Sequence, residues 1–277
     1  MIRTAIQLKA KVRNLTGGDS GKAQTLIRNY IMERFLERIS LSQYRDHFIL
    51  KGGMLVSSIV GLDTRATMDI DTTVRSLDIS RESATKIMEE IIATEIPDGV
   101  SFTVSRVTDI MEDFDYPGVR FMLEATLDNL KQAIKIDIST GDVITPGAVE
   151  YSYPLMFEDR AITLWTYNLE TLLAEKLETI MVRGVANSRM RDFYDIHVIS
   201  HQKNFDPETL KHAFLATSEK RGTADQIPDY SDTLNLLEGN KVMAQLWDNY
   251  RSTSFFIGDL TWTEVMASVK ALAKNIF

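Results

Sequence analysis

Asp69 and Asp71 stand two apart in MDIDTTV, and a third aspartate, Asp137, stands in KIDIS. In an extended strand, residues i and i+2 project from one face. Asp69 and Asp71 therefore point together while Ile70 points away. Two carboxylates held that close repel each other unless a cation neutralises them. Mg²⁺ suits them, because it prefers oxygen ligands and keeps water and phosphate in its shell. If the strand carrying Asp137 lies beside the one carrying Asp69 and Asp71, three carboxylates meet, as metal-assisted attack on a phosphorus requires. Upstream, FILKGG ends in Gly52-Gly53 where a strand gives way to a helix. Bare backbone there lets N–H groups approach a phosphate, and a helix N-terminus favours negative charge. Lys51 and Arg65 are candidates to add positive charge. The set reads as a nucleoside triphosphate (NTP) held at Gly52, Gly53, Lys51 and Arg65, with its Mg²⁺ on Asp69, Asp71 and Asp137.

A second group lies downstream. In LETLLAEKLETIMVRG, Leu169, Leu172, Leu173, Leu177 and Ile180 form an apolar stripe, and Lys176 falls inside it. Lysine is rarely buried without a partner. Arg183 follows on the same side. In RMRDFYDIHVI, Asp192 and Asp195 are i, i+3 neighbours on a helix, with Arg189 and Arg191 close by.

These residues need elements to position them. Helices are expected over 2–14 and 23–39, the second strongly amphipathic, and after the glycine pair. Strands are expected at 47–53 and 68–75, then a helix from Ser80 to about 94 closed by Pro97 and Gly99. Three alternating segments follow at 100–107, 119–127 and 131–140, the last two joined through a turn in DNL. The fold class is α+β: a mixed-sheet core with N-terminal helices, then a helical domain. A passage rich in turn residues, ITPGAVEYSYPL, separates them. The domains are expected at 1–160 and 161–277, with an active-site cleft between. Asn168 and Asp206-Pro207-Glu208 are helix starts.

The chain of 277 residues has 44% apolar and 25% charged residues, the balance of a soluble globular protein. It has no cysteine, which excludes thiolate metal sites and cysteine nucleophiles. No stretch resembles a signal peptide or a membrane span, so a cytoplasmic protein is expected. The net charge of −8 argues against a passive duplex-binding module. GGDSGKA imitates a phosphate loop but departs from its spacing and lacks its hydroxyl residue. His197 and His201 are four apart without the glutamate of a zinc-protease motif, and are expected to be structural.

The order of glycine pair, paired aspartates and later single aspartate resembles the nucleotidyltransferase fold of the DNA polymerase β superfamily. FILKGGMLVSSIVGLDTRATMDIDTTV and LLAEKLETIMVRG with RMRDFYDIHVI look more closely like the AbiEii/AbiGii toxin family, which includes the MenT toxins. The resemblance covers most of 20–200. It implies a toxin of an abortive-infection or toxin–antitoxin system, with an antitoxin encoded in the same operon. It implies Mg²⁺-dependent transfer of a nucleotide from NTP to an acceptor, for some members the 3′ end of tRNA, which blocks translation. It matches Lys176 to the family's lysine motif, expected to reach the nucleotide phosphates, and Asp192 to its last acidic motif. Asp69, Asp71 and Asp137 are then catalytic as well as metal-binding. Where the superfamily usually has Gly-Ser, this chain has Gly53, so only backbone carries over there. RNA binding must come from a local basic patch, with Arg183, Arg189 and Arg191 as its candidates beside Lys51 and Arg65. Competing readings are nucleotidylation of a protein or small molecule, and a GTP- or ATP-binding regulator without transfer.

Overall fold

The computed structural model describes residues 1–77, 79–110, 118–227 and 230–277. The elements follow the chain as α1 (Ala5–Thr16), α2 (Ser20–Leu41), β1 (Phe48–Lys51), α3 (Gly52–Val60), β2 (Asp69–Val74), α4 (Arg81–Ile92), β3 (Val100–Ile110), β4 (Gly118–Leu127), β5 (Leu130–Thr140), β6 (Val149–Pro154) and β7 (Ala161–Thr166). The helices α5 (Leu169–Arg183), α6 (Met190–Gln202), α7 (Pro207–Arg221), α8 (Tyr230–Gly239), α9 (Lys241–Thr253) and α10 (Trp262–Ala273) complete it. The chain divides into two compact units. The first holds 1–59, 66–142 and 149–166; the second holds 60–65, 143–148 and 167–277.

In the first unit a seven-stranded mixed sheet runs in the order β3-β4-β5-β2-β1-β7-β6. Strict alternation makes one face of its centre apolar: Ile70, Phe121, Leu123, Ile136 and Ile138 are fully buried. The helix α2 packs along β5 and brings Ile31, Met32 and Phe35 into the core. Its arginines are buried with partners. Arg38 makes a two-pronged pair with Asp98 at 2.9 and 3.1 Å, and Arg34 meets Glu37 at 2.7 Å. The β4–β5 connection is a two-residue turn, Asp128-Asn129, in which Asp128 adopts φ +50°. The Asp128 carboxylate accepts a hydrogen bond from the Ala5 backbone at 2.8 Å and so ties the turn to the start of α1.

The mixed α+β architecture is as expected, but the sheet is larger. The stretch read as a connecting passage contains β6, and β7 follows it, so the first unit extends to Thr166, past the expected boundary near 160. β7 pairs in parallel with β1 at Ile49 and Trp165.

In the second unit the helix starts follow local capping chemistry. Asn168 accepts from the Thr171 backbone at 2.7 Å, and Asp206 accepts from Thr209 at 2.8 Å ahead of Pro207. Thr261 and Glu264 form a reciprocal cap on α10. Phe193, Trp247, Trp262 and Val265 pack into an apolar centre. Among the described residues, no helix is long and apolar enough to cross a membrane.

Candidate active site

The register of the sheet decides which side chains share its polar face. β1 and β2 pair antiparallel with Lys51 opposite Asp71. β2 and β5 pair in parallel with Asp71 opposite Asp137 and Asp69 opposite Lys135. β5 and β4 pair antiparallel with Asp137 opposite Arg120. Paired residues project from the same face. One row across four strands therefore reads Lys51, Asp71, Asp137, Arg120, and Asp69 with Lys135 form the next row. The β2 and β5 aspartates do come to one face. The partners Lys135 and Arg120 were not anticipated.

These cations engage the acids closely. Lys135 Nζ lies 2.7 Å from Asp69 Oδ2 and 3.7 Å from Asp137 Oδ2. Arg120 donates to both oxygens of Asp137, at 2.7 and 2.8 Å. That contact, with the charges of Asp69 and Asp71 beyond it, holds the Arg120 guanidinium above its ordinary range. Thr67 Oγ1 donates to Asp69 Oδ1 at 3.0 Å. Lys51 donates to Asp142 Oδ2 at 2.8 Å, and Ser139 donates to the same oxygen at 2.7 Å. Lys51 thus keeps an acidic partner at the end of its row, and Asp142 is a fourth carboxylate of this face.

Gly52 opens α3 with φ +65°, a conformation that favours glycine. A β-carbon there would stand 2.2 Å from Asp71 Oδ2. The bare backbone makes room for the Asp71 carboxylate as well as for any ligand. Gly53 starts the helical ladder, and its carbonyl accepts from Ser57 Oγ at 2.8 Å.

The second unit gathers a different set. Lys176 Nζ lies 3.0 Å from Asp192 Oδ1 and 2.7 Å from Asp195 Oδ2. Arg65, which belongs to this unit, places Nε 2.6 Å from Asp195 Oδ1. Arg189 Nε lies 2.7 Å from Asp192 Oδ2. Burial pushes the Asp192 carboxyl up, but Lys176, Arg189 and Arg191 outweigh it and bring it down to about 2. Burial likewise opposes ionisation of Asp195, and Arg65 with Lys176 prevails and lowers it. The structure therefore places Arg65 with Asp195 on α6. Arg183 and Arg191 are exposed, and Arg189 is half-buried by its pair with Asp192. His197 bonds through Nδ1 to Ser268 at 2.8 Å and packs on His201, a local structural contact.

The face defined by β2, β5 and the glycine turn, on a mixed sheet backed by helices, is the candidate site of the chain. The sequence profile of the family described as "Nucleotidyl transferase AbiEii toxin, Type IV TA system" matches residues 34–268, and the chain belongs to that family. It is a nucleotidyltransferase, a toxin of a toxin–antitoxin system in which an antitoxin is the partner. No functionally curated protein matches the chain. Among solved structures, a candidate nucleotidyltransferase of H. pylori is similar at 16% identity and TM-score 0.49, over 91% of this chain and 96% of that one. JHP933 of Helicobacter pylori follows at 18% and 0.47, over 91% and 93%. An antigenic nucleotidyltransferase-like protein of Paracoccidioides brasiliensis stands at 15% and 0.39, over 81% and 93%. The family assignment rests on the profile match, not on these likenesses.

Nucleotidyl transfer takes an NTP and, in general, a divalent ion. Among the described residues, no three acidic or histidine side chains converge as a ready metal cage. Asp137 lies opposite Asp71 on the same face and is paired with Arg120. Asp69 and Asp71 on one strand face still fit a hard ion, since Mg²⁺ is commonly held by one or two carboxylates and completed by water and substrate phosphate. The Lys135 ammonium already stands 2.7 Å from Asp69, so this carboxylate is placed to receive a cation.

Proposed function

We propose that the toxin transfers a nucleoside monophosphate from NTP to the 3′ end of tRNA and so blocks translation, with Mg²⁺ as its ion. The acceptor hydroxyl attacks the α-phosphate, and pyrophosphate leaves. The observation that carries the chemistry is the shared strand face of Asp69 and Asp71 beside a glycine turn, on a chain of the AbiEii family. Bound there, Mg²⁺ would supply charge to the triphosphate and polarise its phosphorus. Asp69 and Asp71 hold the ion. Gly52 and Gly53 present backbone to the phosphates, and the pair of Lys51 with Asp142 fixes the lysine at the edge of that turn. Of the three N–H donors of an ammonium, Lys176 gives two to Asp192 and Asp195, and the third is assigned to a nucleotide phosphate. Asp192 is then a positioning residue for Lys176.

Support for RNA as acceptor comes from the family resemblance together with the exposed guanidinium groups of Arg183 and Arg191. They offer a local basic surface on a chain whose net charge is −8. The test is incubation with each labelled NTP, Mg²⁺ and total RNA, followed by mass spectrometry of the recovered tRNA. Added nucleotides at the 3′ end are expected. Unmodified tRNA beside a labelled protein or small molecule would move the acceptor elsewhere. Label on nothing would remove transfer to these acceptors altogether.

A further inference from the structure

The face that carries the aspartates does not end at Asp137. Arg120 and Met122 on β4 lie opposite Asp137 and Lys135 of β5, and Thr108 and Arg106 of β3 lie opposite Arg120 and Met122. Paired residues share a face. Arg106 reaches this face only through an irregularity. Val104 pairs with the buried Leu123, and between Val104 and Arg106 the register shifts by one residue. Without that bulge Arg106 would fall opposite the buried Phe121 of the apolar face. With it, the guanidinium belongs to the polar face. Bulges recur beside active sites, where they re-aim a side chain. Arg106 is exposed, and among the described residues it has no acidic partner. It and Lys135 flank Met122 in one row, and Arg120 is the diagonal neighbour of both, roughly 7–8 Å away by strand geometry. Beyond Asp137, the charged residues that the register sets on this face of β3, β4 and β5 are four cations, Arg106, Arg120, Lys131 and Lys135, and one acid, Glu124. Glu124 pairs with Lys131 at 2.8 Å. This surplus of positive charge stands on a chain whose net charge is −8.

The glycine turn lies on the other flank of the acids, where Gly52 follows β1 and abuts Asp71. In phosphoryl transfer the attacking and leaving oxygens stand roughly in line across the phosphorus. A triphosphate at the glycine turn therefore leaves β4 and β3 as the side from which an acceptor arrives. We propose that this face of β3 and β4 is the track of the acceptor: the single-stranded 3′ end of an RNA crosses it, with a backbone phosphate on Arg106 and a base against Met122. Single-stranded ends are bound by cationic tracks combined with surfaces on which bases rest, and a thioether packs favourably against an aromatic ring. Arg120 and Lys135 stand between Arg106 and the strand of Asp69 and Asp71 and lead the terminal nucleotide toward it. The inference rests on RNA as the acceptor, and it adds a contact on the first unit to those of Arg183 and Arg191.

The experiment measures binding rather than transfer. A short single-stranded oligoribonucleotide with the tRNA 3′ sequence, fluorescent at its 5′ end, is titrated with the full-length protein at several salt concentrations and followed by anisotropy. Losing one phosphate contact on a single strand should make the slope of log affinity against log salt shallower by about 0.7. Arg106→Ala should show that change, and Arg106→Lys should keep the wild-type slope. Arg13→Ala, which removes the same charge from an exposed position on α1, should keep it too. NTP affinity of Arg106→Ala, from calorimetry, should match the wild type. A wild-type slope in Arg106→Ala would overturn the track and leave RNA as acceptor, as would a change that Arg13→Ala reproduces. Weakened NTP binding with RNA binding intact would overturn it in favour of a triphosphate contact. No salt-dependent RNA binding by the wild type would overturn both the track and the RNA reading. A second measurement does not depend on the arginine. The chain has no cysteine, so Thr108→Cys carries a single photo-crosslinker opposite Arg120. It should join to the RNA near its 3′ end, and Arg13→Cys should not. A Thr108→Cys chain that binds RNA without joining to it would overturn the track.

Discussion

The polar sheet face and the cluster on α5 and α6 use the same side chains to opposite effect. Each pairs aspartates with lysine and arginine at salt-bridge distance. On the sheet, Arg120 and Lys135 keep about a third of their side-chain surface exposed, at 32% and 30%. In the helical unit the Lys176 side chain keeps 9%, and Asp192 and Asp195 keep 1% and 0%. Half-exposed pairs exchange partners cheaply, because water screens their attraction and takes over their hydrogen bonds. Buried pairs do not, because removing one partner strands the other in a medium that solvates it poorly. The pairs of the sheet face are therefore able to exchange partners, as the proposed function requires of them. The helical cluster is built to stay as it is and hold α5 against α6.

The widest gap between the two should appear in stability. Lys176→Met is expected to cost about 3 kcal/mol, the low end for breaking a buried pair, since two buried carboxylates lose the cation they share and keep one arginine each. Lys135→Met should cost no more than about 1 kcal/mol. Urea unfolding of both variants measures this, and equal midpoints would erase the distinction. Activity should show the reverse order of tolerance on the sheet. Asp69→Asn is expected to reduce nucleotide transfer by at least about 100-fold, the upper range seen for losing mere supporting contacts of a metal, with an unchanged unfolding midpoint. Full transfer by a folded Asp69→Asn chain would end the metal assignment.

A smaller effect concerns RNA. Arg183→Glu with Arg191→Glu should weaken RNA transfer while NTP binding is retained. If few phosphates are contacted, the wild-type slope of log affinity against log salt should be about −2 to −4, and the double variant should flatten it. An unchanged slope would place the RNA surface elsewhere.

The smallest effect is on pH dependence, where the two units should fail at opposite ends. Asp192 is held near 2, so it binds its proton less readily folded than unfolded. Its stabilising contribution is whole above its ordinary value of 3.8 and is lost as pH falls through about 2. Glu33 on α2 is the converse: burial outweighs its bonds from Met156 and Asn29 and the nearby Arg34, and raises it to about 8. Its contribution is whole below its ordinary value of 4.5 and is lost as pH rises through about 8. Glu33→Gln should remove part of the alkaline loss, read from melting temperature across pH. A variant with the wild-type alkaline profile would show that Glu33 is not its source.

Alternation made β2, β4 and β5 legible from sequence, because each buries one face and solvates the other. β6 was missed although it alternates: Val149, Tyr151 and Tyr153 share one face, with Tyr153 buried, while Glu150, Ser152 and Pro154 are exposed on the other, and the proline and glycine just before it drew the reading toward a loop. β7 alternates as well, with Ile162, Leu164 and Thr166 buried, and its pattern in AITLWT was available. The aspartates of the face were visible as types and spacing. Lys135 carried a signal, two residues before Asp137 on one strand. Arg120 carried none, since only the β4–β5 register sets it opposite Asp137. The pairing of Arg65 carried no signal for a similar reason: its partner Asp195 lies 130 residues away in the chain, and nothing local distinguishes a guanidinium that meets a carboxylate from one that meets a phosphate.

Gly52 carries a consequence for heredity. Because a β-carbon there would collide with Asp71 at 2.2 Å, every base change that replaces this glycine disturbs the Asp71 carboxylate, whatever residue it brings. In a cell that has lost its antitoxin, survival selects silenced toxin genes, and missense survivors should gather at codon 52. They would make a full-length, folded, harmless protein, the kind of relic that keeps a toxin gene in a genome after its poison is gone.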